Sequence, residues 1–370
     1  MLIVFVLLAG LFCFGLERYY RSHWSRELYT TLRFSVGQVY AGEEFLLTET
    51  IENHKKLPIP ILEIGFHLSR GVEFLNAENV VVSDQIYKRD LFSLSGRERI
   101  RRSYRVLAKK RGKYSMSAVE CKAPSLLQLH LYYSGKEQEK EDTDFYVYAA
   151  SADVRDLEET METVLGDAES SRKVYEDPFA FSGIREYTLQ DPQKNINWKA
   201  SAKSGKWMVN TFTSVKTQEV AVFLDIEDSF ILRRQELTEE SISVAATLMR
   251  LMLQRGREAC LYVNTEGGRS FRVKNRDTDL KNMEEYLTQD FDTKPQIPFI
   301  KMLSDRLPHV KADLLVLISA NAGREREPME LDLPQEVKER CLWVVPYPAG
   351  KEKPEPFIRG IRTRGRQVAG

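Results

Sequence analysis

The chain has few of the residues from which covalent staples and metal centres are built. Its 370 residues include four cysteines and five histidines. Cys13, Cys121, Cys260 and Cys341 lie far apart with no Cys-x-x-Cys pair, so neither a zinc knuckle nor a disulfide framework is indicated. The histidines make no metal-ligand spacing. Excess charge of either sign is also missing. The 54 basic and 54 acidic side chains cancel, so no global field draws the protein to nucleic acid. Gly-x-Ser-x-Gly and His-Glu-x-x-His are absent. "SGKW" at Ser204–Trp207 contains Gly-Lys without the upstream frame that wraps phosphates. These gaps point to reduced, buried thiols in a cytosolic setting and to a chain with no complete catalytic set.

What is present is hydrophobic content of 42%, with 10% aromatics, enough for two ordinary domains with real cores. The opening "MLIVFVLLAGLFCFGL" carries no charge through Leu16. As a helix it spans roughly 24 Å, and Tyr19, Tyr20 and Trp24 extend it as an aromatic belt. No basic n-region or small-residue cleavage site marks it as a secretory signal. Arg18, Arg21 and Arg26 follow it, so the positive-inside rule predicts a single-pass cell-membrane anchor over 1–26 with the bulk of the chain cytoplasmic.

From 27 to 150 short alternating stretches with Gly and Pro punctuation predict a β-sandwich of immunoglobulin-like type. Pro58 and Pro60 in "LPIPILEIGFHLS" suit an edge or entering strand. Residues 151–217 read as linker plus a dense signature, with Leu157, Met161 and Leu165 spaced for a short amphipathic helix. From 218 to 350 compact apolar strands alternate with helices, which predicts an α/β domain with a mainly parallel sheet. The charged stretch 351–370 reads as a flexible tail. The fold class is therefore multidomain: membrane helix, β-sandwich, then α/β.

In a doubly wound sheet ligands bind outside the carboxyl ends of the strands. The first such strand runs into "FLDIEDS", where Asp225, Glu227 and Ser229 occupy alternate positions. This spacing resembles the Asp-x-Ser-x-Ser metal edge of von Willebrand factor A domains, with Glu227 in place of the first serine. Such oxygens would suit magnesium, and no other cofactor is expected. After "DLLVLIS", Ser319 and Asn321 stand where an aspartate would serve better; acids that merely solvate a strand end are the plainer alternative. The basic run from Lys88 to Lys113, with Arg99, Arg101 and Arg105, is the outer face of one strand plus its hairpin turn, a lipid-facing patch, or, as a third alternative, a nucleic-acid contact. Glu120-x-Lys122 with Asp90 upstream is a faint nuclease-like pattern.

The stretch Gly183–Asn210 crowds Arg185, Glu186, Tyr187, Asp191, Asn197, Trp198 and Lys199 together. Ile184, Tyr187, Ile196, Trp198, Trp207 and Val209 are its burial candidates, and the polar set would satisfy their N–H and O–H groups. That predicts a structural network or a partner surface rather than an active site.

Here the sequence resembles a known family. Gly183-Ile-Arg-Glu-Tyr187, Asp191-Pro192 and Ile196-Asn-Trp-Lys-Ala-Ser-Ala202 are similar to the signature of the domain of unknown function 58 family. "RGKY" at Arg111–Tyr114, "GEE" at Gly42–Glu44 and "ENHKKLPIP" match further family elements. Gln190, Lys194 and Asn197 depart from its usual glycine, arginine and aspartate, and one membrane helix replaces the frequent two. The resemblance implies a membrane-tethered bacterial protein with a von Willebrand factor A-like carboxyl half. It also implies a MoxR-type AAA+ ATPase as partner, and an adaptor role in assembly or maturation of other proteins or the envelope. A metal-dependent hydrolase using Asp225, Glu227 and Asp191, and a structural envelope component, remain as alternatives.

Overall fold

The computed structural model describes residues 2–76, 79–82, 86–116, 119–136, 144–171, 181–188, 191–212, 219–227, 235–274, 276–291, 296–320, 333–351 and 361–368. The chain divides into two compact units. One holds Met1–Ser151 with Lys281–Thr293, the other Ala152–Leu280 with Lys294–Gly370.

The first unit opens with helix α1 (Leu2–His23), whose stretch Ile3–His23 is long and apolar enough to cross a membrane. Its side chains from Ile3 to Leu16 are exposed, but near its carboxyl end Tyr20 is buried, as is Trp24 just beyond it. Tyr20 and Trp24 belong to the core of the sandwich that follows, against Tyr132, and Tyr132 donates to Glu17. The aromatic belt expected at Tyr19, Tyr20 and Trp24 is thereby corrected: only Tyr19 stays exposed. Large aromatics four residues apart share a helix face, and this face meets protein.

Two antiparallel sheets and a smaller three-stranded one share a single core. The four-stranded sheet orders β1 (Leu28–Phe34), β3 (Glu44–Asn53), β8 (Arg99–Ala108) and β5 (Val72–Phe74). The five-stranded sheet orders β11 (Leu131–Lys136), β10 (Val119–Pro124), β4 (Ile59–Leu68), β7 (Ile86–Leu94) and β6 (Val80–Val82). The small sheet contains β2 (Gln38–Tyr40), β12 (Asp144–Tyr148) and β9 (Gly112–Ser115). Strict alternation of buried and open residues along β7 is the period of a strand with one face on a core. β4 lies at the centre of its sheet, not at an edge. It accommodates Pro60 through a register shift between Ile59 and Leu62, where the missing N–H costs no ladder bond. In the Arg111–Tyr114 turn the Tyr114 hydroxyl donates to the Lys110 carbonyl at 2.7 Å. Its ring lies over Gly71, where a Cβ would fall 1.7 Å from the hydroxyl.

The basic run is neutralised largely by cross-strand carboxylates. Arg99 pairs with Glu52 at 3.0 Å and Arg105 with Glu44 at 2.5 Å, while Lys88 lies inside. The strand-face reading fits this arrangement. Glu120 and Lys122 point to the open side of β10, away from buried Asp90, so the nuclease-like trio is split by the sheet.

In the second unit a six-stranded sheet orders β17 (Ser270–Val273), β16 (Glu258–Val263), β15 (Glu219–Leu224), β18 (Leu314–Ile318), β19 (Cys341–Pro348) and β20 (Arg362–Val368). Only β17 is antiparallel to its neighbour. β15 and β18 are buried on both faces, as continuous apolar runs in a covered parallel sheet should be. Gln235–Gln254 packs on one face, while Phe299, Met302 and Leu303 join Phe223, Leu317 and Trp343 on the other. Arg155–Ser171 is a helix with Leu157, Met161 and Leu165 buried, and its Glu162 pairs with Arg257. It belongs to this unit rather than to a linker. Residues 362–368, read from the sequence as flexible tail, are the edge strand β20. Their polar alternation conceals the strand because the backbone, not an apolar face, ties it to β19.

Candidate functional site

The order β17-β16-β15-β18-β19-β20 reverses direction of growth between β15 and β18, the place where doubly wound sheets open a crevice at their carboxyl ends. Asp225 follows β15 there, Ser319 follows β18, and Asn264 follows β16. All three are buried. Asp225 Oδ1 accepts from Asn264 Nδ2 at 2.8 Å and from the Glu227 N–H at 3.0 Å, and its Oδ2 accepts from Ser319 Oγ at 2.6 Å. Asn264 Oδ1 in turn accepts from the Ile226 N–H at 2.9 Å. Three donors converging on one carboxylate compensate its charge with protein dipoles, so the knot is complete as a structural lock. Of the residues expected at a metal edge, Asp225 is this buried hub, Glu227 is half-buried beside it, and Ser229 lies outside the described residues. Among the described residues no group of three His, Cys, Asp or Glu side chains is placed to hold a metal ion.

The signature forms a module built on a hairpin of β13 (Phe181–Glu186) and β14 (Met208–Phe212). Between them lie a 3-10 turn, Gln193–Asn195, and the short helix Trp198–Ser204. Asn197 is the helix N-cap: its Oδ1 accepts from the Ala200 N–H at 2.9 Å while its Nδ2 donates to Asn210 Oδ1 at 2.8 Å. Gly205 ends the helix at φ 70°, the left-handed cap that favours glycine. Ser201 Oγ donates to the Asn197 carbonyl and accepts from the Met208 N–H, both at 2.8 Å, closing helix onto strand.

Arg185 grips Asp191 with both terminal nitrogens, at 2.8 and 2.6 Å, and Thr188 adds its N–H and hydroxyl at 2.8 Å. The Arg185 guanidinium and the Thr188 donors hold the Asp191 carboxyl well below the usual carboxylate range. Glu186 pairs with Lys206. Every carboxylate of the signature is thus committed to a cation within it.

The two tryptophans do the opposite of what was expected, while Tyr187 is half-buried. Ile196 and Val209 are buried, but Trp198 is 68% and Trp207 57% exposed, and Ile184 is open as well. The two indoles face each other at 6.0 Å between ring centres, and Tyr187 lies 5.8 Å from Trp207. Lys194, Lys199 and Lys203 stand exposed around them and make no ion pair among the described residues. The result is a rigid ledge presenting two tryptophans and three free lysines. Asn210, Ser201 and Thr188 were missed by sequence reasoning, because only the hairpin register brings them to Asn197 and Asp191. Asn264 carried a signal: it directly follows an apolar strand.

Comparison with known proteins adds the following. No curated protein matches the chain. Among solved structures, the CARDB domain of a Pyrococcus furiosus protein, in complex with di-metal ions, is 11% identical over 33% of this chain and 88% of that one, with a TM-score of 0.20. A non-cellulosomal cohesin from Archaeoglobus fulgidus is 11% identical over 35% and 96%, with a TM-score of 0.21. A β-glucosidase from Listeria innocua is 13% identical over 30% of this chain and 16% of its own length, with a TM-score of 0.18. Overlaps this loose add nothing to the fold described above. Residues 183–319, which run from the first residue of the signature to Ser319 of the buried knot, match the family described as "Protein of unknown function DUF58", which supports the resemblance read from the signature.

Proposed function

We propose that this protein is a membrane-anchored, non-enzymatic interaction protein whose signature ledge docks a protein partner, a MoxR-type AAA+ ATPase. The carrying observation is the exposure of Trp198 and Trp207 on a module that is otherwise fully bonded to itself. Exposed tryptophan is what protein interfaces use as an anchor, and a ledge that needs no rearrangement loses little entropy when it binds. The paired carboxylates of the signature and the hydrogen-bonded Asp225 argue against acid–base catalysis by these side chains. A von Willebrand factor A-like assignment for the second unit is supported by its sheet order, with the third strand reversed at the edge, and by Asp225 at the end of the first strand. The helix Ile3–His23 serves as the anchor, and Arg18, Arg21 and Arg26 orient the remainder to the cytoplasm.

The test is co-purification. Tagged full-length protein in detergent extract should retain a MoxR-type ATPase. A folded bait that retains none removes the partner assignment.

A further inference from the structure

A second polar cluster lies inside the sandwich, far from any surface role. Glu49 on β3 and Tyr104 on β8 come from the four-stranded sheet, Lys88 and Asp90 on β7 from the five-stranded one. All four are buried. The Tyr104 hydroxyl oxygen lies 2.7 Å from Glu49 Oε2 and 2.6 Å from Asp90 Oδ2, and Lys88 Nζ donates to Asp90 Oδ2 at 2.6 Å. The Lys88 ammonium also sits 4.4 Å from the centre of the Tyr104 ring.

Proton counting decides what this geometry means. A phenol has one proton, yet its oxygen makes hydrogen-bond contact with two carboxyl groups, so a second proton must be present. Asp90 is paired with the Lys88 ammonium. Glu49 has no such match: its Oε1 is buried with no hydrogen-bond partner among the described residues. Arg102, opposite Glu49 in the β3–β8 register, is exposed and lays its guanidinium over the Phe92 ring at 4.4 Å. The neighbour on β1 is Leu32, which offers no charge.

We infer that Glu49 is a proton-binding site: folded, it holds a proton at neutral pH and donates it to Tyr104, which donates to Asp90, linking the two sheets through Glu49–Tyr104–Asp90–Lys88. With Glu49 neutral the cluster sums to zero charge. Ionised, it leaves one uncompensated negative charge in a hydrophobic core, together with a clash of acceptors at the Tyr104 oxygen. Burial, reinforced by the Asp90 charge, pushes the Glu49 carboxyl up to about 7 against the opposing pull of Tyr104, Lys88 and Arg102. The sandwich thus takes up a proton on folding, and its two sheets are joined less firmly as that proton leaves.

Infrared spectroscopy of the full-length protein in detergent micelles tests this. The wild type should show a buried protonated-carboxyl band that fades as pH rises through about 7, and Glu49→Gln should lack it. The amide of Glu49→Gln can still donate to Tyr104, so its sandwich should unfold at a midpoint independent of pH between about 5 and about 7.5, where the wild type weakens. Glu49→Leu, which leaves Tyr104 donating to Asp90, should remove the band and the pH dependence in the same way. A wild-type band already lost at about pH 5, or variants that weaken in parallel with the wild type, overturns the inference.

Discussion

Asp225 illustrates how far a residue's surroundings outweigh its type. At a strand end, two residues from another acid, it has the look of a metal ligand. In the fold it is the acceptor for Asn264, Ser319 and the Glu227 N–H. Asp225→Ala should therefore act on stability: leaving these buried donors unpaired costs about 3 kcal/mol, read as a lowered unfolding midpoint of the second unit. Millimolar magnesium should leave the wild-type midpoint unchanged; a clear rise would show that the folded protein binds it. Asn197 is the parallel case in the signature. Asn197→Ala removes the cap from Ala200 and the bond to Asn210 and should cost about 1 kcal/mol, whereas Asn197→Asp keeps the cap and should cost far less. Thermal unfolding of the three proteins side by side checks the order. An acid or an amide serves this position equally well as a cap, so its identity says little about catalysis. The inward position of Glu49 was legible, since it alternates with Phe45, Leu47 and Ile51. Its partners were not, because Tyr104 and Asp90 reach it only through the pairing of β3 with β8 and the stacking of two sheets.

Elements were legible where a period of burial marks them and hidden where it does not. The strands β15, β16, β18 and β19 and the helix Gln235–Gln254 stand out as apolar runs and a helical stripe. β20 and the short β17 carry no such mark, and the sequence shows them as tail and loop. The first helix misleads in another way: the apolar run and the aromatics after it read as one anchor, but its two ends have different surroundings. From Ile3 to Leu16 its side chains are open, whereas Tyr20 and Trp24 are sandwich core. Truncation should separate these roles. Removing residues 1–15 should yield a sandwich that still resists protease. Removing 1–26 deletes two core aromatics and should cost about 3–5 kcal/mol, read as protease sensitivity and a lowered midpoint. Equal stability of both truncations would mean that the helix end is not part of the core.

For the molecule as a whole, Asp153 and Asp191 are held below the usual carboxylate range, so their contributions are lost in acid, whereas that of Glu49 falls at higher pH. Its folded value, about 7, lies above the ordinary 4.5. The stabilisation is therefore full below the ordinary value and lost as pH rises through the folded one. At about 1.4 kcal/mol per unit, the amplitude is about 3 kcal/mol. The proposed partner site is a different surface, the ledge of Trp198 and Trp207. Binding of a purified MoxR-type ATPase to the full-length protein in nanodiscs tests it most directly, compared with the double substitution Trp198→Ala, Trp207→Ala. Both indoles are exposed and make no contribution to the core, so the variant should fold normally and bind roughly 100-fold more weakly. Undiminished binding by the folded variant would contradict the claim that this ledge is where the partner docks.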